Sequence, residues 1–558
     1  MTLMAVNYDS LNQVFLDSIK KKNKGGLSAV IFDNEKILFS FYDGFINKEK
    51  KLKPQADSLF MIGSNTKVFT ALGIFRLIED GKLSLDDPIT KFIPEFSVKS
   101  RIGEYEVTVE NLMMHRGGFQ CDLIPYMVDD DKTYDGLIAA LKETYRATVP
   151  GTMFAYCNIG FTLLGVIEER ITGKKYYDFI KEVLLDPLGI ELYISPEKKL
   201  PENLSDRVAQ SFDKKGRRKF DPLSALYPAG PCTYTTLEGL AKIGQLLMND
   251  GECNGVRLYK PETIQFMKTL KVIDELDNSV VTAGYCLLHN LLHLDYETSK
   301  PIGHGGDTNY HHAKFDFLPE EKIGVVVFSN FETAPKITRD IEIALFNEYL
   351  KEMGFPKKEA PKRKTVDFDP NKYAGKYDSM LGQFDLKVTP KGELTTTFHK
   401  ILLDLKLDDE GWLEATPKAL WTRLTPIYKQ IKGIRFLETT YLGNEVLVMD
   451  QKGTKQIIGE RYRVPSVNTA WLKAAGDYVI DDKLVRDMVS KITFGLKDGE
   501  PVLTLVEEGQ KADTYLDIVN ESEAVIKGYG RNSKETVFLT NEGGKYSITM
   551  QGVKATKK

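Results

Sequence analysis

The sequence has little that would tie it to a membrane, to nucleic acid or to a disulfide framework. Its five cysteines are scattered, odd in number and include no CxxC pair, which argues against a disulfide scaffold and favours a reducing compartment. The net charge is only −4, with acidic and basic residues interspersed, so no polybasic face is available for nucleic acid or anionic lipid. No apolar run approaches the length of a membrane span.

The N-terminal segment also lacks the marks of a secretory signal. Residues 1–24 contain no apolar h-region and no small-residue cleavage site. Leu11, Val14, Phe15 and Ile19 instead share one face of an amphipathic helix. We therefore expect a cytoplasmic protein.

The chain of 558 residues is longer than one hydrophobic core usually supports. Residues 27–46 predict a hairpin, helical patterns dominate residues 64–185, and strand patterns return at residues 284–334, including a strand at 285–294. A closing helix is predicted at 335–352. This order predicts an α/β (α+β) domain over residues 1–352, in which both ends of the segment complete one antiparallel sheet flanked by helices, with an added helical subdomain.

The pattern of apolar and polar residues changes after a linker at residues 353–366 that is rich in lysine and proline. KYAGKYDS at 372–379 and KAAGDYVI at 473–480 each open a stretch of similar length with short alternating strands. This weak internal repeat predicts two antiparallel β-barrel domains, at residues 367–462 and 463–558. The three tryptophans of this half are expected in the barrel cores: Trp412, Trp421 and Trp471.

The stretch GSNTKVFTALGIFRLIEDGK, residues 63–82, places a serine and a lysine at the head of an apolar helix. Four S-x-x-K patterns occur, but only the one at Ser64 opens such a helix. Side chains three residues apart on a helix are neighbours, so Ser64 and Lys67 can touch. Lys67 could simply extend to the surface, or it could activate Ser64 as a nucleophile.

Two further segments carry polar residues next to regular structure. Tyr156 and Asn158 lead directly into a predicted helix that has Gly173 near its end. The triplet His304-Gly305-Gly306 lies on a predicted strand, where its glycines would allow another part of the backbone to approach closely.

GSNTK, YCN and GHGG, in this order, resemble the three motifs of the serine β-lactamase and penicillin-binding-protein superfamily. The similarity covers roughly residues 10–350, and the two trailing barrels are most similar to the D-aminopeptidase branch. The resemblance implies that Ser64 forms an acyl-enzyme and that Asn158 orients Lys67 and binds the substrate amide. It implies Tyr156 as the base, with Lys67 as the alternative, and an oxyanion hole made by the backbone N–H groups of Ser64 and Asp307.

The sequence departs from that superfamily at His304, where most members have a lysine. A neutral histidine is less suited to a substrate carboxylate, which favours esters, amides or peptides recognised at the amino end over β-lactams. The resemblance also implies that a loop of the last domain reaches the site, and GYGRNSKE at 528–535 is the candidate. Because this loop is basic at Arg531 and Lys534, it is expected to select a group other than a free amine.

The leading hypothesis is a serine hydrolase for small amides or short peptides with D-residue preference, without cofactor or metal. A metal site at His304, His311 and His312 is disfavoured because no carboxylate or cysteine completes a known ligand spacing. The alternatives are a carboxylesterase, a weakly active β-lactamase-like enzyme, an acyltransferase or a binding protein without activity. No nucleic-acid or membrane partner is expected, and a homodimer built through the barrels stays open.

Overall fold

The computed structural model describes residues 8–19, 24–224, 232–271, 282–289, 292–359, 361–379, 382–398, 400–425, 428–451, 453–486, 489–507 and 510–558. Residues 290–291 of the predicted strand at 285–294 lie outside these ranges. Within the described ranges, no helix is long and apolar enough to cross a membrane.

The first part of the chain contains both strands and helices. Its strands are β1 (Gly26–Asp33), β2 (Ile37–Gly44), β3 (Phe60–Met61), β4 (Leu192–Ile194), β5 (Ser211–Phe212), β6 (Arg218–Lys219), β7 (Thr233–Thr235), β8 (Glu252–Cys253), β9 (Val256–Arg257), β10 (Thr282–Ala283), β11 (Leu288–His289), β12 (Ile302–Asp307), β13 (His312–Leu318) and β14 (Ile323–Ser329). Its α-helices are α1 (Tyr8–Ile19), α2 (Thr66–Glu79), α3 (Val109–Met113), α4 (Ile124–Val128), α5 (Tyr134–Leu141), α6 (Asn158–Thr172), α7 (Tyr176–Ile180), α8 (Asp186–Leu188), α9 (Leu237–Met248), α10 (Pro261–Met267) and α11 (Pro335–Glu352).

The main sheet has the order β10-β11-β12-β13-β14-β1-β2, and every neighbouring pair is antiparallel. The early hairpin β1-β2 therefore pairs with the late strand β14, which confirms that both ends of the segment complete one sheet. Side chains alternate between the two faces of a strand. Ile31 and Val325 pack in the cluster with α1 and α11, whereas Val30 and Val326 pack in the larger cluster with α2, α6 and α9.

The second part of the chain forms two closed antiparallel barrels of eight strands each. The first contains β15 (Gly375–Ser379), β16 (Gly382–Val388), β17 (Leu394–Phe398), β18 (Ile401–Leu407), β19 (Leu413–Pro417), β20 (Ile434–Tyr441), β21 (Asn444–Gln451) and β22 (Thr454–Arg461), with helix α12 (Tyr428–Ile431). The second contains β23 (Gly476–Ile480), β24 (Val489–Lys497), β25 (Glu500–Glu507), β26 (Gln510–Ile518), β27 (Glu523–Ile526), β28 (Thr536–Glu542), β29 (Lys545–Met550) and β30 (Val553–Lys557), with helices α13 (Thr469–Ala474) and α14 (Lys483–Arg486).

The two segments of the weak repeat begin the two barrels, because Gly375 starts β15 and Gly476 starts β23. In each barrel the first strand also pairs with the last, which closes the sheet and leaves no free edge. The α/β domain followed by two barrels is thus confirmed. The predicted domain boundaries, at residues 352, 366 and 462, stay predictions.

Two details differ from the sequence predictions. Within the described part of residues 285–294, only Leu288–His289 form a strand. Leu292 and Leu294 are buried against the cluster that contains α1 and α11, so their apolar character reflects burial and not strand structure. Trp421 is 68% exposed in a 3₁₀ turn, so its predicted place in a barrel core is wrong, whereas Trp471 is fully buried in the second barrel.

Candidate active site

Ser64 lies in a short 3₁₀ turn, Gly63–Asn65, that leads straight into α2. Gly63 has φ +50°, a left-handed conformation that glycine adopts without strain. A Cβ added at Gly63 would lie 3.1 Å from the backbone nitrogen of Asp307, which ends β12. The serine turn and the end of β12 are therefore in close contact, as expected if the backbone N–H groups of Ser64 and Asp307 face one acyl oxygen.

Lys67 projects from the first turn of α2 and has no exposed surface. Its Nζ lies 3.0 Å from Ser64 Oγ and donates to Asn158 Oδ1 at 2.8 Å. Asn158 is the first residue of α6, which packs against α2. The contact between α2 and α6 thus places Ser64, Lys67 and Asn158 together, and Lys67 does not extend to the surface.

Tyr156 completes this group from the segment that precedes α6. Its hydroxyl is hydrogen-bonded to Ser64, and its ring centroid lies 5.0 Å from Lys67 Nζ. Burial, followed by the positive charge of Arg531, lowers the pKa of Lys67 to about 7. Burial raises the pKa of Tyr156, and its hydrogen bond with Ser64 and the charge of Arg531 offset only part of that increase.

These pKa shifts bear on which group could take a proton from Ser64. Near pH 7 a large fraction of Lys67 is neutral and can accept a proton, whereas Tyr156 stays protonated. The electrostatics of the folded protein thus favour Lys67 as the base, the alternative that the sequence reasoning kept second. Because both side chains contact Ser64, their titration belongs to the group and not to one residue alone.

Two buried histidines lie beside the ring of Tyr156. His115 stacks on it with ring centroids 4.3 Å apart, and its Nδ1 accepts a hydrogen bond from the backbone N–H of Cys157. His304 lies 6.1 Å away on β12, and burial lowers its pKa to about 3, so the ring is neutral. Within the described residues, the Nε2 atom of each histidine is buried without a hydrogen-bond partner.

A buried carboxylate that the motifs do not contain lies next to Asn158. Asp122 is 1% exposed, and its Oδ1 accepts a hydrogen bond from Asn158 Nδ2 at 2.7 Å. Its Oδ2 accepts from Arg531 Nε at 2.9 Å and from Arg531 Nη2 at 2.7 Å. Asp122 therefore joins the first domain to the candidate loop of the last barrel.

The loop at 528–535 lies between strands β27 and β28 and does reach the site. The guanidinium carbon of Arg531 is 5.6 Å from the ring centroid of Tyr156, and 43% of the Arg531 side chain remains exposed. Glu535 at the end of the loop accepts a hydrogen bond from the backbone N–H of Cys121 at 2.7 Å and another from Gln120. Burial raises the pKa of Glu535 to about 7.

The predicted strand residues His304, Gly305 and Gly306 all lie on β12, next to the serine turn. The Asp307 side chain turns toward β13, where it binds Lys314 Nζ at 2.9 Å and His312 Nδ1 at 2.7 Å. His311 faces elsewhere and contacts the backbone N–H of Met61 and Ser211 Oγ. Among the described residues, no group of three or more metal-ligating side chains converges.

Sequence reasoning missed His115, Gln120 and Asp122, and it left Glu535 without a role. The first three lie in the loop region 114–123 between α3 and α4, which carries no recognised chemical motif. The sequence offers one sign of these residues: the polar Gln120 and Asp122 stand on either side of Cys121. Their neighbours Phe119 and Leu123 are apolar and buried. This pattern indicates that the polar side chains are buried, but it does not identify their hydrogen-bond partners.

Comparison with known proteins matches the first part of the chain, which carries this site, to a known family. The family model described as Beta-lactamase matches residues 11–348. Penicillin-binding protein 4 of Amycolatopsis lactamdurans is 26% identical over 368 residues, which cover 63% of this chain and 93% of that protein. Protein flp of Staphylococcus aureus strain N315 is 24% identical over 346 residues and 60% of this chain, which spans just under two thirds (66%) of flp.

Solved structures share the fold at low identity. SurE superposes with a TM-score of 0.57 and 19% identity, covering 81% of this chain and 98% of SurE. An octameric penicillin-binding protein homologue from Pyrococcus abyssi gives a TM-score of 0.51 and 21% identity over 99% of this chain and 100% of that chain. A class C beta-lactamase in complex with cefoxitin gives 0.51 and 23%, over 61% of this chain and 97% of that chain.

Proposed function

Because the chain belongs to the beta-lactamase family, we propose that it is a serine hydrolase that forms an acyl-enzyme on Ser64 and acts on small amides, short peptides or esters. The observation that carries the proposal is the 3.0 Å contact between Lys67 Nζ and Ser64 Oγ, made by a lysine without exposed surface. A serine hydroxyl needs such a neighbouring base to become a useful nucleophile.

In the proposed reaction, Ser64 Oγ bonds to the carbonyl carbon of the substrate while its proton passes to neutral Lys67 Nζ. The tetrahedral intermediate collapses, and the bond to the leaving amine or alcohol breaks. The proton that Lys67 took from Ser64 then reaches this leaving group through the hydroxyl of Tyr156. Water then attacks the acyl-enzyme by the reverse route and releases the acid. Each positioned proton transfer of this kind commonly contributes about 10²–10⁴-fold.

The oxyanion of that intermediate is proposed to accept hydrogen bonds from the backbone N–H groups of Ser64 and Asp307. Support comes from the close contact of the serine turn with the end of β12. Losing one such donor typically costs about 10²–10³-fold in rate. Because β12 lies beside the site, an extended substrate could also pair with its backbone.

The charges around the site bear on the two finer candidates, a D-residue aminopeptidase and a carboxylesterase. An aminopeptidase needs a carboxylate free to meet the substrate ammonium. Asp122 is instead paired with Arg531, and Asp307 with Lys314, while Glu535 is bound to Gln120 and Cys121. Arg531 also adds positive charge beside Tyr156. We therefore propose that neutral acyl groups, as in esters and N-blocked amides, are better substrates than compounds with a free amine.

The test compares nitroaniline release from D-alanine and L-alanine p-nitroanilides, from their N-acetyl derivatives, and release of nitrophenol from a p-nitrophenyl ester. D-configured substrates are included because the leading sequence hypothesis is a D-preference, and because one structure of the fold relative SurE contains D-Leu. Ser64→Ala is the control in every assay. We expect faster turnover of the acetylated or ester substrates, abolished by Ser64→Ala.

Each other outcome has a definite meaning. Fast D-selective release from the free-amine anilides would establish an aminopeptidase and contradict the charge argument. Labelling of Ser64 by a fluorophosphonate without turnover would point to acyl transfer to a nucleophile other than water. If the protein resisted labelling and turned over nothing, a binding protein would be the better description and the proposed hydrolase would be wrong.

A further inference from the structure

An unbroken series of hydrogen bonds leads from Ser64 to a residue of the last domain. Ser64 Oγ contacts Lys67 Nζ at 3.0 Å, Lys67 donates to Asn158 at 2.8 Å, and Asn158 donates to Asp122 at 2.7 Å. Asp122 in turn accepts two hydrogen bonds from Arg531, at 2.9 and 2.7 Å. We call these five residues the Ser64–Arg531 network.

We propose that Asp122 and Arg531 are positioning residues for the reaction proposed above, on which this inference rests. Neither residue contacts Ser64. Asp122 fixes the orientation of the Asn158 amide, so that its oxygen faces Lys67 and its nitrogen faces away. Arg531 holds Asp122 in place, and the last barrel thereby forms part of the catalytic machinery.

Burial explains why Asp122 requires Arg531. A carboxylate that is 1% exposed would be very costly if it were left unpaired. Asn158 satisfies one of its oxygens, and both hydrogen bonds from Arg531 go to the other. Removing Arg531 would leave the buried charge of Asp122 without its cationic partner, and an uncompensated buried charge typically has a large cost.

The loop that carries Arg531 is held at several points and is not a loosely attached flap. Lys527, just before the loop, binds Asp378 of the first barrel and Glu500 of the second, each at 2.7 Å. Tyr529 packs against Tyr441 of the first barrel, with ring centroids 5.4 Å apart. These contacts place Arg531 only when both barrels are folded and docked.

Lys534 and Glu535 hold the other end of the loop. Lys534 pairs with Glu460 of the first barrel, and Glu535 accepts the backbone N–H of Cys121, the residue before Asp122. The loop is thus anchored on both sides of Arg531, to the barrels by Lys527, Tyr529 and Lys534 and to the Asp122 segment by Glu535. The same geometry would be difficult to explain if the barrels served only to stabilise or dimerise the enzyme.

The network also sets the charge around Lys67. The positive charge of Arg531 lowers the pKa of Lys67, and the negative charge of Asp122 raises it, after burial as the first cause. The two charges act on the pKa of Tyr156 in the same directions. The other titratable groups that face Lys67 are these: Cys157, Cys286, His115 and His304.

Opposite shifts on removing the two charges follow from this arrangement. With Arg531→Gln, we expect the acid limb of the pH–rate profile to move up by about one pH unit, so that the rate near pH 7 falls about fivefold. With Asp122→Asn, we expect the limb to move down. These signs hold whether Lys67 or Tyr156 is the base. In the double variant, both charges are gone and the limb should return toward the wild-type position.

The rate is measured as fluorophosphonate labelling of Ser64 in the full-length protein, from pH 5 to pH 10. Arg101→Gln is the matched control, because Arg101 also joins the first domain to the last barrel, through Glu523 and Thr536, but lies outside the network. It should leave the limb in place. Arg531→Lys keeps the charge but not the two-donor geometry, so it should preserve the limb position and lower the plateau rate.

A second readout separates this inference from the proposed function. The Lys67 side chain is titrated by NMR in protein labelled with ¹³C at lysine Cε, with its signal assigned by its loss in Lys67→Gln. Opposite shifts of this titration in Arg531→Gln and Asp122→Asn would support the network even if Ser64 resisted labelling. Equal behaviour of Arg531→Gln, Asp122→Asn and Arg101→Gln in both readouts would overturn the inference.

Discussion

Gly306 provides a direct test of how closely β12 lies against the turn that carries Ser64. A Cβ added at Gly306 would lie 1.8 Å from the carbonyl oxygen of Ile62 and 2.8 Å from its carbonyl carbon, whereas ordinary contact begins at 3.4 Å. Both are backbone atoms, so no side chain can rotate to relieve the overlap. We expect Gly306→Ala to force β12 and the serine turn apart by more than an ångström.

The expected magnitude follows from the kind of contact. Overpacking a well-filled interior typically costs about 1–3 kcal/mol, and overlap with backbone atoms belongs at or above the upper end of that range. In a large domain each kcal/mol lowers Tm by about 2–4 °C. A displacement of about 1 Å between the reacting groups can lower the rate by about 10²-fold, so Ser64 should label much more slowly.

The neighbouring glycine is the matched control for stability. A Cβ at Gly305 would meet Lys314 Nζ at 3.5 Å, an ordinary van der Waals contact with a side-chain atom. Thermal unfolding and the rate of fluorophosphonate labelling are measured for both variants, and Gly305→Ala should have a Tm close to that of the wild type. If Gly306→Ala matched the wild type in both Tm and labelling rate, the close approach of β12 to the serine turn would be refuted.

The remaining predictions concern three buried titratable side chains, those of Lys67, Glu168 and Lys527. If Lys67 is the base, labelling of Ser64 should rise as pH increases through about 7, because the neutral amine becomes the main form; a limb near the pKa of a tyrosine would instead favour Tyr156. Glu168 is fully buried, and burial raises its pKa, so its contribution to stability is present below the unfolded pKa of about 4.3 and lost as pH rises through the folded value. Glu168→Gln should therefore flatten the decline of Tm as pH rises above about 4.3, and an unchanged decline would assign it to other groups. Lys527→Met should lower the free energy of unfolding by about 3–5 kcal/mol in a urea titration, because it leaves buried carboxylates unpaired. Lys497→Met, which removes an exposed pair with Asp513, should cost less than about 1 kcal/mol, and equal losses would contradict the argument.

Much of the fold could be predicted because the elements concerned carry strong local patterns. The β1-β2 hairpin has apolar runs on either side of Asp33, and α11 has a clear helical repeat. The barrels followed from two similar segments that each begin a first strand. In these cases the pattern along the chain and the burial in the fold agree, since one face of each element must pack on a core.

The wrong predictions concern apolar residues that are not part of the predicted strand or barrel core. Leu292 and Leu294 are apolar because they are buried beside the sheet, although they are not part of a strand. Trp412 packs against Met153 and Tyr529 where the first domain meets both barrels, while Trp421 is exposed. Composition cannot tell a barrel interior from an interface between domains, because both bury large aromatic side chains.

The residues of the site also fall into two groups, those that a local sequence pattern identifies and those that only the fold brings together. Ser64, Lys67, Tyr156 and Asn158 lie in motifs with fixed spacing, and the fold brings all four together. Asp122 could not be found in this way, because its partner Arg531 is 409 residues away and no local pattern connects them. Only the docking of the last barrel on the first domain creates that pair.

The burial of Lys67 affects both the stability of the fold and the protonation of this side chain. A lysine without exposed surface at the head of a core helix would oppose folding if its amine were charged and unpaired. Burial and Arg531 bring its pKa to about 7, so its neutral form is accessible, and Ser64 and Asn158 provide partners for its hydrogens. Asn158 can do so only in the orientation that Asp122 imposes, and Asp122 can stay buried only while Arg531 is docked. Under the proposed mechanism, the proton exchange between Lys67 and Ser64 therefore depends on a loop from the far end of the chain, a role for the barrels that is distinct from stabilising the fold.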